Sequence, residues 1–144
     1  MSDKISVRRS LPDTRHSECR KLDYGDPSAL PKASVILIFC NETMSALMRT
    51  VWSVIDQSPP DLLHEIVLID DGSGTEEITV LLPEYIKYRL NGYNVHLHRY
   101  EKQGGLIFAR QEGESTQLVL VDCRYNIPQL GFVIQVPNTP PVTC

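Results

Sequence analysis

SVILIF at Ser34–Phe39 and EIVLI at Glu65–Ile69 are two short runs dominated by β-branched and aliphatic residues. A run that is apolar at nearly every position, rather than at alternate ones, is what a strand buried on both faces of a parallel sheet requires. Parallel strands also need a crossover between them. The sequence supplies one: Met44, Leu47, Met48, Val51 and Ile55 recur at the spacing of one helical face. Asn41 precedes that face and reads as its cap, and Ser58-Pro59-Pro60 ends it.

The pattern repeats downstream. After EIVLI, Asp70-Asp71-Gly72-Ser73 reads as a turn, and Thr75 with Glu76 and Glu77 opens a second helix. Pro83 breaks or restarts that helix, and Asn91-Gly92 terminates it. NVHLHR at 94–99 alternates like a strand, Gly105–Glu112 reads as a short helix, and LVLV at 118–121 as a fourth strand ending at Asp122. Such alternation predicts an α/β fold with a mostly parallel sheet and flanking helices.

Outside this segment the composition changes. Residues 1–33 are charged and turn-rich, with Pro12, Pro27 and Pro31, and read as an N-terminal arm carrying a short helical turn near Thr14–Lys21. Residues 34–123 hold the periodic half-domain. Residues 124–144 form a tail in which nothing from Tyr125 onward is charged and four positions are proline. Within it GFVIQV at Gly131–Val136 can be a strand, an aggregation hazard if left uncovered.

The whole chain has 144 residues, 14 basic and 18 acidic side chains and a formal charge of -4, which suits one soluble domain and disfavours a nucleic-acid binder. No apolar run approaches the ~18 residues of a membrane span, and MSDKISVRRS at the start has no signal-peptide core. Cys19, Cys40, Cys123 and Cys144 share no metal-ligand spacing; they are isolated thiols, or half of a pairing scheme whose other half is missing.

In open α/β sheets ligands bind beyond the carboxyl ends of the strands. That places Cys40-Asn41-Glu42, Asp70-Asp71, the Arg99–Gly105 segment and Asp122 at one pole. Carboxylates there accept ribose or base hydrogen bonds, or hold a divalent cation that neutralises phosphates. Against this, Asp-Asp-Gly-Ser is also an ordinary turn, and Gly104-Gly105 before Leu106 is more simply a flexible turn than a phosphate cradle. No GxGxxG follows the first strand and no Walker loop exists, which disfavours dinucleotide dehydrogenases and P-loop NTPases. His96 and His98 share a strand face but lack a third ligand nearby, so they read as surface histidines. His64 is read as a loop residue and His16 as part of the arm, while Trp52 reads as core or interface rather than a stacking platform, and Met44 and Met48 as core.

These residues carry a family likeness. Ser10-Leu11-Pro12-Asp13 with Arg15, Cys19, Leu30-Pro31 with Ala33–Ile36, Phe39 with Asn41-Glu42, Leu47–Val51, Glu65–Asp71 with Ser73, and Gly105-Leu106-Ile107 with Ala109-Arg110 resemble the polypeptide N-acetylgalactosaminyltransferases. The resemblance covers about residues 6–113. It implies a GT-A fold, the Rossmann-like type of nucleotide-diphospho-sugar transferases, here incomplete on its C-terminal side. It implies a retaining, manganese-dependent transfer of N-acetylgalactosamine from UDP to serine or threonine of an acceptor polypeptide. That step begins mucin-type O-glycans in the Golgi.

By the same resemblance, Asp71 contacts the UDP part of the donor, and Asn41 and Glu42 match the FHNE motif near the nucleotide, with Cys40 in the place of its histidine. Gln103 falls where the family has a donor-binding arginine, and a glutamine lacks the cationic fork that suits phosphate. The family's Asp-x-His metal motif falls on Asp122-Cys123-Arg124, about four residues early. Asp122 is thus the candidate metal ligand, but the guanidinium of Arg124 has no lone pair to coordinate with. Cys19 matches a cysteine whose disulfide partner lies far downstream.

Three expectations follow. The chain is a truncated transferase without catalysis of its own; or it is a minimal transferase with metal at Asp122 completed by a partner; or it is a non-enzymatic module that docks on full-length relatives. The family works in the Golgi lumen, whereas this chain shows neither signal nor anchor, which leaves the cytosol open as well.

Overall fold

The computed structural model of the chain describes residues 4–115 and 131–135. Four strands form one sheet: β1 (Ala33–Phe39), β2 (Leu63–Asp71), β3 (Val95–Tyr100) and β4 (Gly131–Gln135), in the order β3-β2-β1-β4. β1, β2 and β3 are parallel, and β4 runs antiparallel along β1. The expected α/β class with a mostly parallel sheet is what the chain adopts. The GFVIQ stretch is a strand, paired residue by residue with Ser34–Ile38. The expected strand at 118–121 lies outside the described residues, as do Asp122, Cys123 and Arg124.

The α-helices among the described residues are α1 (Ser17–Lys21), α2 (Met44–Gln57), α3 (Leu82–Arg89) and α4 (Leu106–Ser115). Strand alternation decides what each face meets. Val35, Leu37 and Phe39 of β1, with Ile66 and Leu68 of β2, pack against Leu47, Met48, Val51 and Trp52 of α2 and against Ile78, Leu82 and Leu90 beyond β2. Ile36, Ile38, Val67 and Ile69 face the other way, toward Ala109 of α4 and Tyr100. Both crossovers lie on the first face because β1, β2 and β3 follow one another in one direction across the sheet, each joined by a crossover of the same hand. Each fully buried leucine or isoleucine contributes about 1.5–3 kcal/mol, and β1 and β2 hold several on either face.

Local boundaries differ from the sequence reading in three places. Asn41 does not cap α2: the helix starts after Thr43, and Asn41 turns back toward the β2 loop. Asp70 and Asp71 are not turn residues but the last two residues of β2, in register with Arg99 and Tyr100. His64 sits in β2 rather than in a loop. Of the two readings of Pro83, the restart is what is seen: a π-helical turn at Glu77–Leu81 passes into α3 with the proline in its first turn.

The arm is largely exposed, and Val7 packs against the core beside the Arg8 contact. Arg8 forms a bidentate pair with Asp56, with Nη2 to Oδ1 at 2.7 Å and Nε to Oδ2 at 3.0 Å, and lies 4.4 Å over the Trp52 ring. Trp52 is core, as expected; its Nε1 donates to the Tyr85 hydroxyl at 3.0 Å.

Candidate functional site at the carboxyl pole of the sheet

The carboxyl ends of β1, β2 and β3 open onto one pole, and Asp70 and Asp71 sit at its centre, both buried. Successive strand residues point to opposite faces, so the two carboxylates have different neighbours. Asp71, on the α4 side, accepts the backbone N–H of Gly104 at 2.7 Å through Oδ1 and of Gly105 at 2.9 Å through Oδ2. It closes the loop between β3 and α4 like a clasp. Each carboxylate oxygen keeps a second lone pair, able to accept from a hydroxyl or an imide N–H.

Asp70, on the α2–α3 side, accepts from Arg99 Nε at 3.0 Å and from the backbone N–H of Ser73 at 2.9 Å. Arg99 also donates to the carbonyls of Thr79, at 3.0 Å, and Ile78. Ser73 Oγ accepts the Asn41 N–H at 2.8 Å, and Asn41 Oδ1 accepts the Gly74 N–H at 2.9 Å. Asn41 holds a left-handed backbone, φ 50°, a region that asparagine enters more readily than most residues. Glu42 is turned to its own neighbour, accepting the Thr43 N–H at 3.0 Å.

The loops are held at close quarters by Gly72. Its φ is +76°, and a methyl group there would stand 2.5 Å from the backbone nitrogen of Gln103 and 2.9 Å from the carbonyl carbon of Lys102. Only glycine combines that φ with that approach. Cys40 ends the β1 side of the pole. Burial, together with the negative charges of Asp71 and Asp70, pushes its thiol pKa up, so it is a neutral thiol near pH 7.

The pole thus gathers Asn41, Glu42, Asp71 and Gln103, each carried on a different part of the β1, β2 and β3 loops. Gln103 is exposed at the rim. Asp122 and Arg124 fall outside the described residues. Sequence reading placed Arg99 at this pole but did not find its pairing with Asp70. That pairing depends on the β2–β3 register, for which a lone arginine at a strand end is the only trace.

A divalent cation does not fit the described residues. No three histidine, cysteine, aspartate or glutamate side chains among them converge to hold a metal ion. His96 lies at the far end of the sheet with Asn94 at 2.8 Å and Glu65 at 3.6 Å. What the pole offers is hydrogen-bond acceptors at strand ends beside a glycine loop at a helix start.

Comparison with known proteins agrees with this arrangement. Residues 34–116 match the family Glycosyl transferase family 2. N-acetylgalactosaminyltransferase 7 of Drosophila melanogaster is 48% identical over 122 residues, 83% of this chain and 20% of the relative. Polypeptide N-acetylgalactosaminyltransferase 18 of Homo sapiens is 40% identical over 116 residues, 78% of this chain and 19% of the relative. The crystal structure of GalNAc-T7 with UDP, GalNAc and Mn2+ superposes with a TM-score of 0.74 and 43% identity, covering 83% of this chain and 22% of that one. The chain spans about a fifth of the length of the curated relatives it matches. With the family matched over residues 34–116 and relatives 40–48% identical across most of its length, the chain belongs to glycosyl transferase family 2, as a partial catalytic region of the kind found in polypeptide N-acetylgalactosaminyltransferases.

Proposed function

We propose that this chain forms the UDP-facing part of a polypeptide N-acetylgalactosaminyltransferase and, by itself, transfers no sugar. The observation that carries the reading is Asp71. It is a buried carboxylate at the end of β2, clasped to the N–H groups of Gly104 and Gly105, with lone pairs left for ribose or uracil donors. Asn41 and Glu42 lie at the same pole, and Gln103 stands where, by the family resemblance, an arginine would meet the diphosphate. A neutral amide there weakens the hold on the donor's phosphates.

Transfer needs more than nucleotide recognition. Stabilising the departing UDP is electrostatic work, done in metal-dependent transferases by a divalent cation. Among the described residues no three histidine, cysteine, aspartate or glutamate side chains converge to hold one, and the Asp122–Arg124 segment matches the metal motif with an arginine that cannot coordinate. Asp122 is the one candidate ligand this reading leaves. UDP-N-acetylgalactosamine and a Ser/Thr polypeptide are therefore the substrates of the fold, with the Golgi lumen as its place of work, while this chain binds rather than turns over. The test is a transferase assay with UDP-N-acetylgalactosamine, manganese and a Ser/Thr peptide. Product at the level of the blank is expected, and turnover above it contradicts the reading.

A second reading, in which the chain docks on a full-length relative, draws support from α4. Leu106 and Ile107 are 50% and 77% exposed there, an apolar pair facing away from the sheet. Co-purification with such a relative, lost on Ile107→Asp, is the expected result.

A further inference from the structure

We infer that Arg99 is a positioning residue for the nucleotide site, acting through Asp70 and Ser73 on the Asn41 loop. The inference rests on the donor-site reading of the pole and goes beyond it, because Arg99 lies on the opposite side of the sheet from the Asp71 clasp.

Four links make the relay. Arg99 meets the carboxylate of Asp70, which is wholly buried. A lone carboxylate at such a place is costly unless it is paired and hydrogen-bonded. Asp70 holds the N–H of Ser73, which turns the serine hydroxyl toward β1. That hydroxyl accepts the N–H of Asn41, and the Asn41 side chain answers by accepting from Gly74. The remaining guanidinium nitrogens bind the carbonyls of Ile78 and Thr79 in the π-helical turn, so one side chain fixes β3, the β2 loop and the following helix together.

Besides these bonds, the β1 loop has Asn41 Nδ2 on Cys40 Sγ at 3.8 Å and the Met44 N–H on Glu77 Oε2 at 3.4 Å. Asn41 sits at positive φ, a conformation that persists only where surrounding bonds over-determine it. The two that cross from Asn41 to the β2 loop are those with Ser73 and Gly74, the segment whose Ser73 N–H is held by Asp70. A lysine in place of Arg99 can reach the carboxylate but lacks the planar fork that spans the carboxylate and the two carbonyls at once.

The experiment is calorimetric titration of the full chain with UDP, on wild type, Arg99→Lys, Arg99→Met, Ser73→Ala and the Arg99→Met/Ser73→Ala double variant. Amide hydrogen exchange at Asn41, Ser73 and Gly74 is followed on the same samples. We expect Arg99→Met and Ser73→Ala each to weaken UDP about tenfold, Arg99→Lys to recover part of the loss, and the double variant to lose no more than the weaker single one. Exchange at Asn41 should speed up in Ser73→Ala, a variant that leaves the core untouched. A merely structural Arg99 would lower stability in both Arg99 variants and leave the affinity of the folded protein and the Asn41 exchange unchanged. Wild-type binding with wild-type affinity in Ser73→Ala and Arg99→Lys overturns the relay and leaves the donor reading standing. No UDP binding by wild type overturns both.

Discussion

Asp70 and Asp71 are adjacent in sequence and point to opposite faces of the sheet, one to Arg99 and the other to the Gly104–Gly105 amides. The first carboxylate ties together the β2 loop, β3 and the turn before α3; the second ties the β3–α4 loop to β2. A dipeptide that reads as a turn is the point at which the site is assembled.

Removing the first of these ties should unfold more than it frees. Asp70→Ala leaves Arg99 without its carboxylate and the Ser73 N–H without an acceptor. We expect a loss of about 3 kcal/mol in urea unfolding, the lower end for breaking a buried pair, since Arg99 is partly open to water. Asp70→Asn, which keeps one acceptor, should lose less.

Gly72 gives a sharper contrast. Gly72→Ala places a methyl group against backbone at Lys102 and Gln103 and forces φ +76° on an alanine, so stability should fall by more than about 1 kcal/mol. Gly92→Ala, where a methyl group meets nothing within 4 Å, should stay within about 0.5 kcal/mol of wild type in the same measurement.

Cys40 predicts a pH dependence. Its folded pKa is raised by burial and by the two neighbouring carboxylates, so as pH rises the unfolded chain loses the thiol proton first. The stability this group contributes is complete below the ordinary thiol value, about 8.5, and falls as pH climbs from there through the raised value. Stability measured between about pH 8 and 10 should therefore decline less steeply in Cys40→Ala than in wild type. Equal slopes would mean that the thiol is not held neutral.

Core and surface should separate cleanly. Leu68, fully buried in β2, should cost about 2–5 kcal/mol as alanine. Ile107, mostly exposed on α4, should cost less than about 0.5 kcal/mol in the isolated chain.

Much of this was legible before any coordinates. SVILIF and EIVLI are buried on both sides because they are apolar at nearly every position, and the Met44–Ile55 face marks α2 by its spacing alone. The acceptors at the pole were legible as well, since Asp71 and Asn41 follow strands. What stayed hidden depends on register and on long-range approach. The Asp70–Arg99 pair needs β3 aligned with β2, and Asn41 looks like a helix cap until Gly74 is brought to it. Gly72 reads as turn chemistry, although its role is to let the Gln103 backbone pass. The antiparallel β4 was visible as an apolar stretch, but its place beside β1 was not.

The central claim is that Asp71 anchors a UDP site in this chain. Titrating UDP into the full chain, wild type and Asp71→Ala side by side, tests it most directly. Saturable binding by wild type that disappears in a folded Asp71→Ala is the predicted result; absence of binding by wild type, or undiminished binding by the variant, contradicts the account.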